Sequence, residues 1–110
     1  MECILLAGGK GTRLGFDIPK ALVQVTNETI LDIRIRLLKK QGITHFILAT
    51  GYKKEQVKDY VKKNYPDLNV DFAEEESLLG TGGAIKNAMK YTKDQQVFVS
   101  NVDEDRKSVV

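Results

Sequence analysis

The chain of 110 residues has one cysteine, one histidine, two prolines and no apolar run of membrane-spanning length. With Cys3 alone, no intramolecular disulfide and no metal–thiolate site can form, and its apolar neighbours make it a small core residue rather than a nucleophile. His45, also alone, reads as structural. No leader-like segment opens the chain, so the cytoplasm is the default expectation. A net charge of +2 is too small to argue for nucleic acid or a membrane, and neither is expected as a partner. The lysines are spread along prospective helix faces, the usual sign of solvation rather than a binding stripe. There is no internal repeat, low-complexity tract or linker. The composition, 42% hydrophobic and 29% charged, suits one soluble domain with a modest core.

What is present is an alternation of strands and amphipathic helices. Glu2 to Ala7 reads as a buried strand, and Gly8 to Pro19 as a loop. Ala21 to Val25 reads as a short extended piece, followed by a turn at Thr26, Asn27 and Glu28. From about Ile30 to Gln41, Ile30, Leu31, Ile33, Leu37 and Leu38 recur near helical spacing, and Gly42 follows as a left-handed C-terminal cap. Phe46 to Ala49 is a second strand, broken at Gly51-Tyr52. A helix from Lys53 to Asn64 turns Val57, Tyr60 and Val61 inward, and Pro66 stops it. Leu68 to Phe72 is a third strand. Glu74 to Gly83 is a second special loop. Thr81 is placed to cap a helix running to about Tyr91, with Ala84, Ile85, Ala88 and Met89 inward. Val97 to Ser100 is a fourth strand. This order predicts an α/β fold, Rossmann-like, with three α/β/α layers around a mainly parallel sheet. Crossovers should be right-handed, and ligands should bind at the carboxyl ends of the strands.

The most informative stretch follows the first strand: Leu5-Leu6-Ala7-Gly8-Gly9-Lys10-Gly11-Thr12-Arg13-Leu14-Gly15, then Pro19-Lys20. Glycines let backbone N–H groups close around an anion. Arg13 can grip phosphate oxygens in pairs, and Lys20 adds a point charge. Two well-known phosphate loops are excluded. The dinucleotide fingerprint fails at Leu14, where it needs glycine, and no Gly-Lys-Ser/Thr exists for a Walker loop. The stretch resembles instead the signature of the sugar-phosphate nucleotidyltransferases, enzymes that join a sugar 1-phosphate to a nucleoside monophosphate. The resemblance covers Met1 to about Asp103 and corresponds to the N-terminal half of a typical member.

For the matching positions the resemblance implies roles. Leu6, Ala7, Gly8, Gly9, Gly11 and Thr12 would line the triphosphate. Arg13 would neutralise the leaving pyrophosphate, and Lys20 would lie near the α-phosphate or the sugar phosphate. Gly80-Thr81-Gly82-Gly83-Ala84 looks like the segment lining the family's nucleoside pocket, with Gly80 and Thr81 as binding positions. The residue that reads the base in the family corresponds to Glu75. A carboxylate there accepts both N1–H and N2–H₂ of guanine, which favours GTP and resembles the mannose or heptose 1-phosphate guanylyltransferases. Asn101-Val102-Asp103 matches the segment whose aspartate holds Mg²⁺, so Asp103 is the expected metal ligand. Val102 stands where the family usually has glycine, and a β-branched residue resists positive φ.

The expected function is therefore transfer of GMP from GTP to a sugar 1-phosphate, with residues 1–110 as the nucleotide-binding part of the domain. Two alternatives remain open. One is a non-catalytic nucleotide-binding or assembly module that keeps half the fold. The other is a cytidylyltransferase, because only six residues separate Arg13 from Lys20. Arg106 to Val110 matches no continuation of the fold. A sheet ending at Ser100 would leave a bare edge, from which a homo-oligomer or a marginal fold is expected.

Overall fold

The computed structural model describes residues 1–8, 18–74, 80–94, 96–102 and 107–109. Its centre is a five-stranded sheet in the order β5-β4-β1-β6-β7. The strands are β1 (Glu2–Leu6), β4 (His45–Thr50), β5 (Val70–Glu74), β6 (Val97–Asn101) and β7 (Lys107–Val109). A two-residue ladder, β2 (Gln24–Val25) against β3 (Glu28–Thr29), lies apart from it. The helices are α1 (Ile30–Lys40), α2 (Lys54–Asn64) and α3 (Gly80–Ala88).

β1 is central, pairing in parallel with β4 on one side and β6 on the other. β5 adds in parallel to β4. Alternation along β1 divides the core. Cys3, Leu5 and Ala7 meet Leu31, Ile35 and Leu38 of α1 and Val57 and Val61 of α2. Ile4, with Ile47, Ala73, Val97 and Val99, meets Ala88 of α3, with Leu6 and Ile85 against the same cluster. The expected three layers are thus present: α1 and α2 on one face, the sheet, and α3 on the other. Cys3 is fully buried in the first cluster.

Local chemistry explains most boundaries. Thr29 caps α1 in a reciprocal box: its side chain accepts from the Asp32 N–H, and Asp32 accepts from the Thr29 N–H. Gly42 follows with φ of 95°, the expected left-handed stop. α2 ends at Asn64, just before Tyr65 and Pro66.

Several boundaries differ from the sequence reading. Lys20 to Leu22 forms a 3-10 turn, closed by Val23 N–H to the Lys20 carbonyl, so Ala21 and Leu22 do not belong to the extended piece expected from Ala21 to Val25. Buried Ala21 draws this turn onto the core. The third strand lies two residues later than expected, because Val70 rather than Leu68 begins its register with Phe46. Glu74 belongs to that strand, and Gly80 to Gly83 are helical rather than loop. Thr81 is therefore inside α3 and does not cap it. Met89, expected inward, is exposed. The chain tightens to a 3-10 turn at Met89–Tyr91, and the change of pitch turns Met89 off the buried stripe.

The largest difference is β7. Lys107 to Val109 pairs antiparallel with β6, with Phe98 opposite Val109 and Ser100 opposite Lys107. β6 is therefore not the bare edge expected from a sheet ending at Ser100.

Candidate functional site

β1, β4, β5 and β6 run in parallel, so their carboxyl ends share one edge of the sheet. After β1 the chain moves to β4 and then β5 on one side, through helices on one face. It then returns over the other face, through α3, to β6 on the far side of β1. The winding thus reverses between the exits of β1 and β6, and the mouth beside such a reversal is the preferred ligand position in open α/β sheets.

That mouth is tightly stitched. The Ala7 N–H donates to the Ala49 carbonyl at 2.9 Å, and Tyr52 N–H to the Gly8 carbonyl at 3.1 Å. The Val102 N–H donates to the Leu6 carbonyl at 3.1 Å, which extends the β1–β6 ladder one residue past β6. Gly8 and Gly51 face each other so closely that a Cβ on Gly51 would sit 3.3 Å from the Gly8 carbonyl oxygen. Small residues at both exits let the glycine-rich segment leave β1 at this point.

Of the residues singled out in the sequence, the structure places Leu6, Ala7 and Gly8 at the β1 exit. Lys20 sits in the 3-10 turn, half-buried between buried Pro19 and Ala21. Gly80 and Thr81 form the first turn of α3. Gly9, Gly11, Thr12, Arg13, Glu75 and Asp103 lie outside the described residues. Val102, described up to the edge of that last segment, is buried in the first core cluster. Among the described non-glycine residues only Thr26 and Lys53 have positive φ, so Val102 carries no such strain.

Two features were not legible in the sequence reading. Arg34, on the buried stripe of α1, donates from Nε to the Val102 carbonyl at 3.5 Å. The stripe Leu31, Arg34, Ile35, Leu38 has perfect i, i+3, i+4, i+7 spacing, which was the available signal. Beside the β5 exit, Lys58 of α2 donates to Glu74 at 2.7 Å, and Lys54 lies 4.0 Å from the same carboxylate. Lys58 holds the Glu74 carboxyl below its ordinary range, and Glu74 in turn raises the Lys58 ammonium. Asn87 of α3 donates to the Glu74 carbonyl at 3.4 Å, so the end of β5 is held from both faces.

The opposite edge carries a separate polar cluster. His45 Nδ1 lies 2.5 Å from Glu2 and Nε2 lies 2.7 Å from Asp71, joining β1, β4 and β5. Glu2 also accepts the N–H groups of Lys93 at 2.7 Å and Asp94 at 2.6 Å. Burial pushes the Glu2 carboxyl up, but those two N–H groups and His45 outweigh it and leave it below its ordinary value. The cluster is remote from the carboxyl-end mouth and ties the base of the sheet together.

A model of the MobA-like NTP transferase domain matches residues 3–104. The chain belongs to this family. It is 41% identical over 94% of its length to a D-glycero-alpha-D-manno-heptose 1-phosphate guanylyltransferase from Campylobacter jejuni, of which that match covers 48%. The corresponding enzyme from Aneurinibacillus thermoaerophilus is 39% identical, with 46% covered. HddC from Yersinia pseudotuberculosis, in a crystal structure complexed with GMP-PN, superposes with a TM-score of 0.84 at 42% identity. That superposition covers 93% of this chain and 47% of HddC. The chain thus spans about half the length of these relatives. An inositol-1-phosphate CTP transferase from T. maritima, 22% identical with a TM-score of 0.81, shares the NTP transferase fold.

The family implies a divalent metal. Among the described residues no group of three metal-ligating side chains is placed to hold a metal ion. Mg²⁺ at a triphosphate asks for less, one or two carboxylates beside phosphate oxygens. The single carboxylate of Asp103, next in the chain after the anchored Val102, suits that donor set.

Proposed function

We propose that residues 1–110 are the nucleoside-triphosphate-binding part of an enzyme that transfers GMP from GTP to a sugar 1-phosphate and releases pyrophosphate. The observation that supports this reading is that Leu6 ends the central strand at the winding reversal, with Ala7 and Gly8 just beyond it and Gly9 to Leu14 next in sequence. The guanylyltransferase names of the relatives and the guanine-reading logic of Glu75 favour GTP.

In this reading a sugar phosphate oxygen attacks the α-phosphorus of GTP and pyrophosphate leaves. The protein supplies no nucleophile; it aligns two anions that repel each other. Backbone donors of Gly8, Gly9, Gly11 and Thr12 hold the triphosphate, and Arg13 neutralises the charge on the departing pyrophosphate. Lys20 draws the two phosphates together. Glu75 accepts from the guanine edge, and the first turn of α3 at Gly80 and Thr81 walls the nucleoside. Asp103 would hold Mg²⁺, which on binding lowers the charge of the phosphates.

Calorimetric titration with GTP, CTP, UTP, dTTP and ATP, each with Mg²⁺, tests the reading. Saturable binding that selects GTP is expected, with Arg13→Ala weakening it and, in the full-length enzyme, lowering turnover about a hundredfold. A CTP preference would return the cytidylyltransferase alternative. No binding by the folded chain would leave only a scaffold.

A further inference from the structure

His45 is the single histidine of the chain, and the transfer reaction makes no use of it. Its ring is buried at the start of β4, and each ring nitrogen faces a different carboxylate: Glu2 of β1 at 2.5 Å from Nδ1, and Asp71 of β5 at 2.7 Å from Nε2. The connection from α3 to β6 brings Lys93 and Asp94, whose N–H groups donate to the other oxygen of Glu2 while their side chains are exposed. The Met1 ammonium, beside Glu2 in the chain, donates to Thr44 Oγ1 at 3.1 Å. An ionised carboxylate only accepts hydrogen bonds, and a neutral imidazole has one N–H to give. Burial pushes the Glu2 carboxyl up, but the Asp94 and Lys93 N–H groups and His45 bring it below its ordinary value, so it is ionised and Nδ1 must carry a proton. Asp71, half-exposed, makes the same demand of Nε2. Only the imidazolium satisfies both. In a neutral ring that kept Nδ1–H, Nε2 would aim a lone pair at a carboxylate oxygen 2.7 Å away.

We propose that His45 is a proton-operated clasp at the base of the sheet: the imidazolium fastens β5 to β1 through β4, and loss of the Nε2 proton to solvent frees the Asp71 end while Nδ1–H stays on Glu2. The two ends differ in what holds them. Glu2 is buried and fixed by two backbone N–H groups. Asp71 is half-exposed on a strand with β4 as its one neighbour in the sheet, so release falls there. Histidine is suited to this, because ordinary histidines change charge between about pH 5 and 8. A backbone link stands beside the clasp: Phe46 N–H donates to the Asn69 carbonyl at 2.9 Å, just before β5 begins. It reports whether the base of β5 is closed.

Nuclear magnetic resonance on the isotope-labelled 110-residue chain tests the clasp, and a single histidine makes the ring signals unambiguous. From about pH 6 to about pH 9 the ring protons are followed together with the protection of the Phe46 N–H against hydrogen exchange, taken relative to an unstructured peptide at the same pH. At the acid end both ring nitrogens are expected to carry protons. With rising pH the Nε2 proton should leave, the Nδ1 proton should remain, and Phe46 protection should fall roughly five- to tenfold in step with the ring. In Asp71→Asn the side-chain amide can donate to a bare Nε2 or accept from a protonated one. The ring should still titrate there, with the fall in protection gone. A single ring proton at the acid end overturns the proposal, and so does a ring that keeps both protons throughout. A neutral ring protonated on Nε2, or protection that ignores the ring, overturns it as well. An equal fall in Asp71→Asn does the same, and the wild-type measurements decide on their own if that variant does not fold.

Discussion

Gly42 closes α1 with a φ of 95°, a conformation that costs an L-residue about 1 kcal/mol or more. A Cβ there would also lie 2.9 Å from the Met1 Cε, although that methyl is the end of a flexible side chain and can move. Gly42→Ala is therefore expected to lower stability by about 1 kcal/mol in urea denaturation, chiefly through the backbone. Nucleotide affinity should be unchanged, because Gly42 lies at the amino end of β4, away from the mouth. Gly42 was legible in the sequence because it ends a periodic run. Arg34 was not, because a charge counts as surface in a hydrophobic pattern. Only its exact place on the stripe betrays it. Cys3, read as core from its apolar neighbours, is buried as expected.

Among the elements, α1 and α2 are joined through one carboxylate. Asp32 Oδ2 accepts from the Thr29 N–H at 2.9 Å and from the Tyr60 hydroxyl at 2.6 Å, and Oδ1 accepts from the Tyr65 hydroxyl. Burial pushes the Asp32 carboxyl up, but Tyr60, Tyr65 and Thr29 outweigh it and hold it below its ordinary value. Burial and Asp32 together raise both tyrosine hydroxyls. One residue thus serves as helix cap and interhelical tie. Asp32→Ala is expected to cost about 2 kcal/mol, and Tyr65→Phe about 1 kcal/mol. Combining them should cost less than the sum if they share one network, which a double-mutant cycle in urea would measure. The helices themselves were legible from periodicity. This tie was not, since it joins residues far apart in sequence. β7 was illegible for another reason: three residues cannot display a period, and their pairing depends on a neighbour already in place.

Across the whole molecule, Glu2 and Asp32 anchor opposite faces of the sheet, and both have carboxyls depressed by native contacts. Between the folded and unfolded values the unfolded chain binds more protons, so stability there rises with pH. The contribution is complete above the ordinary values of 4.5 for Glu2 and 3.8 for Asp32 and is lost as pH falls through the lower folded values. Urea midpoints should therefore hold near neutrality and decline below about pH 4.5. Glu2→Gln with Asp32→Asn should flatten that decline while lowering the neutral-pH midpoint. An unaltered acid slope in the double variant would place the titrating groups elsewhere.

The layered fold was legible because alternation of strand and helix dictates a parallel sheet. The winding reversal that creates the mouth was legible only as a general rule, because strand order is not written in any local pattern. Glu2 is in register with both His45 and Val97. β1 therefore cannot complete its pairing until β6 has been made. Closing so long a loop before its contacts reward it slows folding toward the millisecond-to-second range. During synthesis β1 emerges well before β6, its partner on that side, exists. The mouth between the exits of β1 and β6 therefore takes shape only once that long loop has closed.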